Sequence, residues 1–266
     1  MKLNLCKFSR YYQLQYLGRI FELMKITALI PARLNSSRFN GKLMMDLCGK
    51  PVITRTYDAV LSTNLFSSVI VVTEDYEIYD EIISNNGNSI LIKKEYNSGT
   101  DRIADACCKI ETDIVINIQG DEPFIDKQSL DKLVNIFKND RKNEIYYASL
   151  MKSMNNEQDI NNPNNVKVSV DNNSFAINFS RKPIPSITTL SEEVFYKHVG
   201  VYAYRKEWLM SFAKLSPTKF ETIEKIEALR IIESGFQIKM AETLSESIGI
   251  DTQKDLSKAI EIWENK

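Results

Sequence analysis

Four short, near-continuous apolar runs, Ile26–Ile30, Ser68–Thr73, Ser89–Ile92 and Asp113–Ile118, alternate with segments of helical periodicity. That alternation constrains the fold more than any other feature of the chain. A strand with one wet face alternates apolar and polar residues. Runs such as SVIVVT and DIVINI do not, so they read as strands covered on both faces. Strand and helix repeated in this way predict an α/β domain with a mainly parallel sheet and helices on both faces. The helices are expected at Pro51–Thr63, Tyr76–Ser84, Ser98–Ile110 and Lys127–Lys138. Pro51 suits a first helical turn, and Gly87 with its Asn neighbours makes a stop. Pro31 is expected to end the first strand, because it removes a backbone donor and fixes φ.

Beyond Lys138 the pattern changes. Asn155–Asn165 is Asn-rich and reads as a loop. Val166–Val170 and Phe175–Phe179 flank Asp171-Asn172-Asn173-Ser174, the signature of an inserted β-hairpin. A strand follows at His198–Tyr204, then helices at Lys206–Lys214 and Phe220–Ser234, a short strand at Gln237–Ala241 and a closing helix at Thr252–Glu264. No repeat and no Pro-, Gly- or Ser-rich linker divides the chain, so residues 24–266 read as one domain. Residues 1–23 read as an N-terminal extension, with Met24 placed as an alternative start. This extension lacks the apolar run and small-residue cleavage site of a signal peptide.

Thirty-four basic residues balance thirty-five acidic ones, a net charge of −1. No global attraction to nucleic acid or anionic membrane follows, so any phosphate chemistry must be local. No apolar run reaches the length of a membrane span. Four cysteines without a C-x-x-C pair fit a reduced, cytoplasmic protein.

Ligands of open α/β sheets lie beyond the carboxyl ends of the strands, which places Arg33, Asp75 and Asp121 on one rim. The loop after the first strand carries Arg33, Arg38 and Lys42 with no glycine cradle; both the P-loop and G-x-G-x-x-G patterns are missing. Its cations form either a phosphate-binding loop, with Arg as fork and Lys as point charge, or a solvated surface. Asp121 either holds Mg²⁺ beside substrate phosphates or bonds its own turn. Asp251 could likewise be only a helix cap, and Ser98–Thr100 either a helix start or an anion-binding end. On one continuous helix, Glu227 and Arg230 fall among Phe220, Ile223 and Ile226, so they pair with each other or face a polar cavity. His198, the only histidine, opens an apolar strand and reads as a core or rim residue.

Read together and in order, ALIPARLNSSRFNGK, VVTEDYEI, NSGTDRIADA, VINIQGDEPFI, NFSRKPIP, YKHVGVYAY, KIEALR and GIDTQKDL resemble the 3-deoxy-manno-octulosonate cytidylyltransferases, from about Met24 to the C-terminus. These are the CMP-Kdo synthetases of lipopolysaccharide synthesis. The resemblance implies a Rossmann-like nucleotidyltransferase domain, a homodimer and Mg²⁺ as cofactor. The implied reaction transfers CMP from CTP to the anomeric hydroxyl of 3-deoxy-manno-octulosonate (Kdo) and releases pyrophosphate. By motif, Arg33, Ser36, Arg38 and Lys42 would hold the triphosphate, and Asp121 and Asp251 the metal. Arg33, Arg38, Lys42 and Asp121 form the implied catalytic group. Ser98, Gly99, Thr100 and Arg102 would help hold the nucleotide. Gln119, Arg181, His198, Tyr202 and Glu227 would line the sugar pocket.

Three departures stand out. The chain has Phe39-Asn40-Gly41-Lys42 for the family's L-P-G-K and Ala228 for the Gln of L-E-Q-L-R. It also has no cation in Pro185–Ser191, where a second arginine is usual. Two of the three fall on the sugar side, which leaves 8-amino-Kdo or another 2-keto sugar acid as alternative substrates. A non-catalytic nucleotide-binding homologue is the remaining alternative.

Overall fold

Every residue of β1 (Ile26–Ala32) is buried, because the strand pairs in parallel with β2 (Ser68–Thr73) on one side and β4 (Ile114–Asn117) on the other. The computed structural model describes residues 24–36, 39–96, 98–184, 194–245 and 248–265. Beyond β2 lies β3 (Ser89–Leu91), again parallel. Beyond β4 come β8 (Phe195–Arg205), β5 (Tyr147–Met154) and β9 (Ile238–Glu242), in the order β3-β2-β1-β4-β8-β5-β9. Both neighbours of β8 are antiparallel to it, while β5 and β9 are parallel to each other. Of this row only β8 therefore runs against the rest, and the sheet is mainly parallel as expected. The hairpin is present as β6 (Lys167–Val170) and β7 (Ala176–Ser180), with β6 also joined to β8.

Successive residues of β1 feed different cores. Ala28 and Ile30 pack with α1 (Val52–Ser62), α2 (Tyr76–Ser84), α4 (Lys127–Asn139) and α9 (Gln253–Glu264). Leu29 packs with α3 (Gly99–Cys107), α6 (Lys206–Phe212) and α8 (Ala228–Glu233). This two-sided burial is the reason the strand is apolar at every position rather than at alternate ones.

β1 does not stop at Pro31. It continues to Ala32, with Pro31 in register with Val72. The carbonyl of Leu29 accepts from Ile118 N–H, so Leu29 and, two residues on, Pro31 face the β4 side. The β1–β4 register has already ended at Leu29 and Asn117, so the missing N–H of Pro31 breaks no ladder bond. The Asn-rich loop also contains a short helix, α5 (Glu157–Asn161), capped by the Asn156 side chain. β8 is longer than expected at both ends.

The helix expected at Phe220–Ser234 is two helices. α7 (Lys219–Glu224) ends at Lys225, which has φ +56°, and α8 begins at Ala228. In a continuous helix the Glu224 carbonyl would accept from Ala228 N–H. Here Arg181 Nε donates to that carbonyl at 2.7 Å, and its Nη1 donates to Pro163 O at 3.0 Å. The arginine has taken the helix's own acceptor. As a result Phe220 and Ile223 are exposed rather than core. Arg230 pairs with Glu221 of α7, through Nε to Oε2 at 2.7 Å, and not with Glu227.

At the other end of the sheet Asp140, just past α4, accepts from Glu144 N–H, Ile145 N–H and Arg205 Nη2. Burial alone would raise its pKa, but these donors hold it below the usual 3.8. The resulting stabilisation is present above that value and is lost as the pH falls through the native pKa. Asp140→Ala is expected to cost about 2 kcal/mol in urea unfolding at pH 7, because it removes the carboxylate partner of the half-buried Arg205 and two backbone N–H bonds. The deficit should shrink below about pH 3.8 as the wild-type carboxyl protonates. Equal deficits at pH 7 and at strongly acid pH would contradict this account.

Candidate active site

The carboxyl edge of the sheet is built by four loops. The chain leaving β1 is anchored by Leu34 N–H, which donates to Asp75 Oδ2 at 2.8 Å, and by Gly41 N–H, which donates to Leu34 O at 2.9 Å. Gly41 has φ +70°, a conformation that suits glycine. It turns the chain so that Leu43 enters the core while Lys42 stays at the rim. Gly120 follows β4 closely enough that an added Cβ would lie 3.0 Å from Ile53 Cδ1 and 3.3 Å from Pro31 O. Asp121 is thereby held against the β1 loop, and its carbonyl accepts from Ile250 N–H at 2.9 Å, drawing in the segment before α9.

The three segments meet at one atom. Lys42 Nζ donates to Asp251 Oδ1 at 2.8 Å and also to Asp121 Oδ2. Burial opposes the ammonium charge, but the two carboxylates more than offset it, so the Lys42 pKa is raised. Asp121 is thus not merely a turn residue. Nor is Asp251 the helix cap: Thr252 caps α9, with its Oγ1 accepting from Asp255 N–H and Asp255 bonding back.

A second, uncharged-looking cluster lies at the start of α3. Ser98 Oγ caps the helix by accepting from Asp101 N–H, and Gly99 packs so tightly on Pro31 that a Cβ would come within 3.0 Å of its ring. Thr100 is buried, and its Oγ1 donates to Glu227 Oε2 at 2.6 Å. Asn117 Nδ2 lies 3.5 Å from Thr100 Oγ1, and Gln119 Nε2 lies 3.5 Å from Asn117 Oδ1. Burial and then the charge of Glu227 push the pKa of both Tyr202 and Tyr204 far up, so both phenols stay neutral. On β8, His198 packs edge-on to Phe179 and against Tyr202, with centroid distances of 5.0 and 5.2 Å. Its Nε2 lies 2.9 Å from Ser149 Oγ, which is 2.8 Å from Val201 O. The single hydroxyl hydrogen goes to that carbonyl, so the histidine donates from Nε2. Burial pushes its pKa down to about 4.

The structure thus brings Lys42, Asp121 and Asp251 together, and it places Gly99 and Thr100, expected at the nucleotide, beside Gln119 and Glu227, expected at the sugar. Arg33 is exposed at the rim, and Ser36 is half-buried further along the loop. Arg38 lies outside the described residues, as do Pro185–Ser191. Two expected ligand contacts are otherwise engaged. Arg102 is buried, donating to Ala32 O at 2.7 Å and Glu74 Oε2 at 2.6 Å, so it braces the strand ends rather than reaching a nucleotide. Arg181 is spent on the carbonyls that break the α7–α8 helix. Sequence reasoning missed Asn117, Ser149 and Tyr204. Asn117 had left a signal, as a polar residue at the centre of a buried run.

Among the described residues no three His, Cys, Asp or Glu side chains gather as a metal cage. The carboxylates of Asp121 and Asp251 share the Lys42 ammonium, and two carboxylates are a donor set that Mg²⁺ can use beside substrate phosphates. Among the described residues no helix is long and apolar enough to cross a membrane.

A mainly parallel sheet with a cationic loop and paired carboxylates at its carboxyl edge defines an α/β nucleotidyltransferase. The cytidylyltransferase family profile matches residues 27–248. The 3-deoxy-manno-octulosonate cytidylyltransferase of Flavobacterium johnsoniae is 51% identical over 237 residues, spanning 89% of this chain and 97% of the relative. The enzyme of the same name from Christiangramia forsetii is 51% identical over 236 residues, 88% of this chain and 95% of the relative. The structure of a CMP:2-keto-3-deoxy-manno-octonic acid synthetase complexed with CTP superposes with a TM-score of 0.86 at 33% identity, over 91% of this chain and 99% of that one. The chain belongs to the 3-deoxy-manno-octulosonate cytidylyltransferase family. A 4-diphosphocytidyl-2C-methyl-D-erythritol synthase from Anaerococcus prevotii, at 14% identity and a TM-score of 0.59, shares the fold.

Because His198 is the sole histidine, its titration can be read directly by NMR. The ring is expected to stay neutral through pH 6.5 and to protonate with a midpoint near 4. Since native His198 resists protonation, it withdraws stability as the pH falls below its unfolded value. A midpoint near 6.5 would contradict the buried, Ser149-bonded ring.

Proposed function

We propose that this chain transfers CMP from CTP to the anomeric hydroxyl of 3-deoxy-manno-octulosonate, releasing pyrophosphate. The observation that carries the reading is the meeting of Lys42, Asp121 and Asp251 at the carboxyl edge, in a chain 51% identical to cytidylyltransferases of that name. The reaction asks the protein for little covalent chemistry. The sugar hydroxyl loses its proton to solvent, its oxygen attacks the α-phosphorus, and the bond from that phosphorus to the bridging oxygen of the β-phosphate breaks. Catalysis rests on holding the two substrates in line and neutralising charge.

Asp121 and Asp251 would hold Mg²⁺, since the two carboxylates already share one cation. When bound, the metal would screen the α-phosphate and lower the pKa of the attacking hydroxyl. Lys42 then serves the triphosphate, together with exposed Arg33 and with Arg38 and Ser36 of the same loop. A planar guanidinium fork and a point charge are complementary ways to stabilise departing pyrophosphate. Ser98 and Gly99 bring the N-terminus of α3 beside Pro31 and Gln119, where the nucleotide would lie against backbone N–H groups. Gln119, Tyr202, His198 and Glu227 would face the sugar acid. His198, kept neutral, acts there as a hydrogen-bonding and packing group rather than as an acid. By resemblance the working enzyme is a cytoplasmic homodimer.

Pyrophosphate release measured with CTP, Mg²⁺ and a panel of 2-keto sugar acids tests the reading. Release is expected with Kdo, with 8-amino-Kdo and a sialic-acid-like sugar as comparison arms for the sugar-side departures. CTP binding with no release from any sugar acid would favour a non-catalytic homologue. Asp121→Asn is expected to lower kcat by about 100-fold while CTP affinity changes little; near-wild-type turnover would remove Asp121 from the metal role. Lys42→Met leaves two carboxylates without their shared cation, so substrate-free protein should bind Mn²⁺ more tightly by calorimetry. Unchanged or weaker Mn²⁺ binding would argue that the pair is not the metal site.

A further inference from the structure

The oxygens of Glu227 are treated unequally by the fold. Oε2 accepts from Thr100 at 2.6 Å, whereas Oε1 is buried and has no hydrogen-bond partner. Native structures rarely leave a buried carboxylate oxygen undonated, and where they do, a ligand is a usual reason. The nearby arginine does not supply the donor, because Arg230 is committed to Glu221 and to Leu215 O. Nor do the phenols, since neither Tyr202 nor Tyr204 satisfies Oε1.

Thr100 has one hydroxyl hydrogen, and it is given to Glu227. The side chain is only 2% exposed, so it is not free to donate to a phosphate or a base edge. Behind it, Asn117 Nδ2 approaches its oxygen at 3.5 Å, and Thr100 and Asn117 both act to lower the otherwise raised pKa of the Tyr204 phenol. Asn117 and Tyr204 come from adjacent strands, β4 and β8, with Tyr204 opposite Val115 and Asn117 opposite Tyr202. The cluster thus ties Glu227, which lies between the two short helices, to the rigid centre of the sheet.

The geometry points to Thr100, supported by Asn117 and Tyr204, as a positioning residue for the sugar acid rather than a nucleotide ligand. It pins one oxygen of Glu227 so that the other presents a fixed acceptor to a hydroxyl or ammonium of the sugar. This inference rests on the cytidylyltransferase reading above and deepens it. A site built to accept a specific donor discriminates strongly against analogues that lack it. The selection therefore operates on a single polar substituent of the sugar and leaves CTP recognition untouched.

Steady-state kinetics on Thr100→Val, Thr100→Ser and Glu227→Gln test it, with each KM measured separately. Thr100→Val should lower kcat/KM for the sugar acid by about 10- to 100-fold while the KM for CTP stays within about twofold. Thr100→Ser, which keeps the donor, should restore the wild-type value. Glu227→Gln preserves an acceptor for Thr100 and covers the case in which the valine variant does not fold; it should show the same sugar-only defect. With a series of singly deoxygenated sugar acids, one analogue should lose its penalty in Glu227→Gln, identifying the group that meets Oε1. A rise in the CTP KM in place of the sugar KM, no change in either, or failure of the serine variant to restore activity would overturn the inference. Wild-type protein inactive with every sugar acid would instead overturn the underlying reading, so the two failures are distinguishable.

Discussion

The edge of this sheet depends on one ammonium group. Lys42, Asp121 and Asp251 are separated by 79 and 209 residues along the chain, measured from the lysine. They come from the loop after β1, the turn after β4 and the segment before the last helix. Without a cation between them, two carboxylates at hydrogen-bonding distance from one point would repel, and only the backbone bond from Ile250 N–H to Asp121 O would oppose their separation. The Lys42 side chain is only 12% exposed, so water screens the arrangement weakly and the ion contacts are correspondingly strong. The same feature makes the position exchangeable. In the proposed reaction a divalent ion would take the place of the ammonium between the pair, and the long lysine stem would carry its charge to a phosphate.

The opposite side of the site depends on neutral and carbonyl contacts instead. Lys167 is fully buried, and its ammonium is satisfied by the carbonyls of Asn162, Asn165 and Arg181, at 2.8, 2.8 and 2.6 Å. Burial and then the charge of Arg181 lower its pKa. Arg181 in turn takes the helical acceptor at Glu224. The β6–β7 hairpin thereby decides where α7 ends and where Glu227 points. Arg181, which its motif assigns to the sugar pocket, occupies the carbonyl at the break between α7 and α8, three residues before Glu227.

The parallel half of the sheet was legible because burial on both faces leaves a local mark, a run such as DIVINI that needs no partner to be recognised. Asp121 was legible for the same reason, as the acid just beyond such a run. Asp251 was ambiguous from its position before a helix; only the capping box of Thr252 and Asp255 shows that its carboxylate is not required there. The break at Lys225 was not legible. Its cause, Arg181, lies 43 residues from the carbonyl it occupies, and the intervening sequence keeps helical periodicity. Arg102 and Thr100 were misread through their neighbours. Their motif opens a helix at the binding edge, yet their side chains point back toward Ala32 and Glu227.

Arg102, Arg181 and Thr100, which their motifs assign to ligands, each donate to a carbonyl or carboxylate of the protein itself. A ligand-free fold must pair its buried donors somewhere, so donors at a binding edge acquire internal partners. Glu227 Oε1 stands apart as a buried acceptor that no donor meets. Among the described residues the other buried side-chain atom without a partner is Arg102 Nε, which belongs to a guanidinium already held by Ala32 and Glu74. The fold thus meets the Arg181 guanidinium with its own carbonyls and leaves one oxygen of Glu227 without a donor.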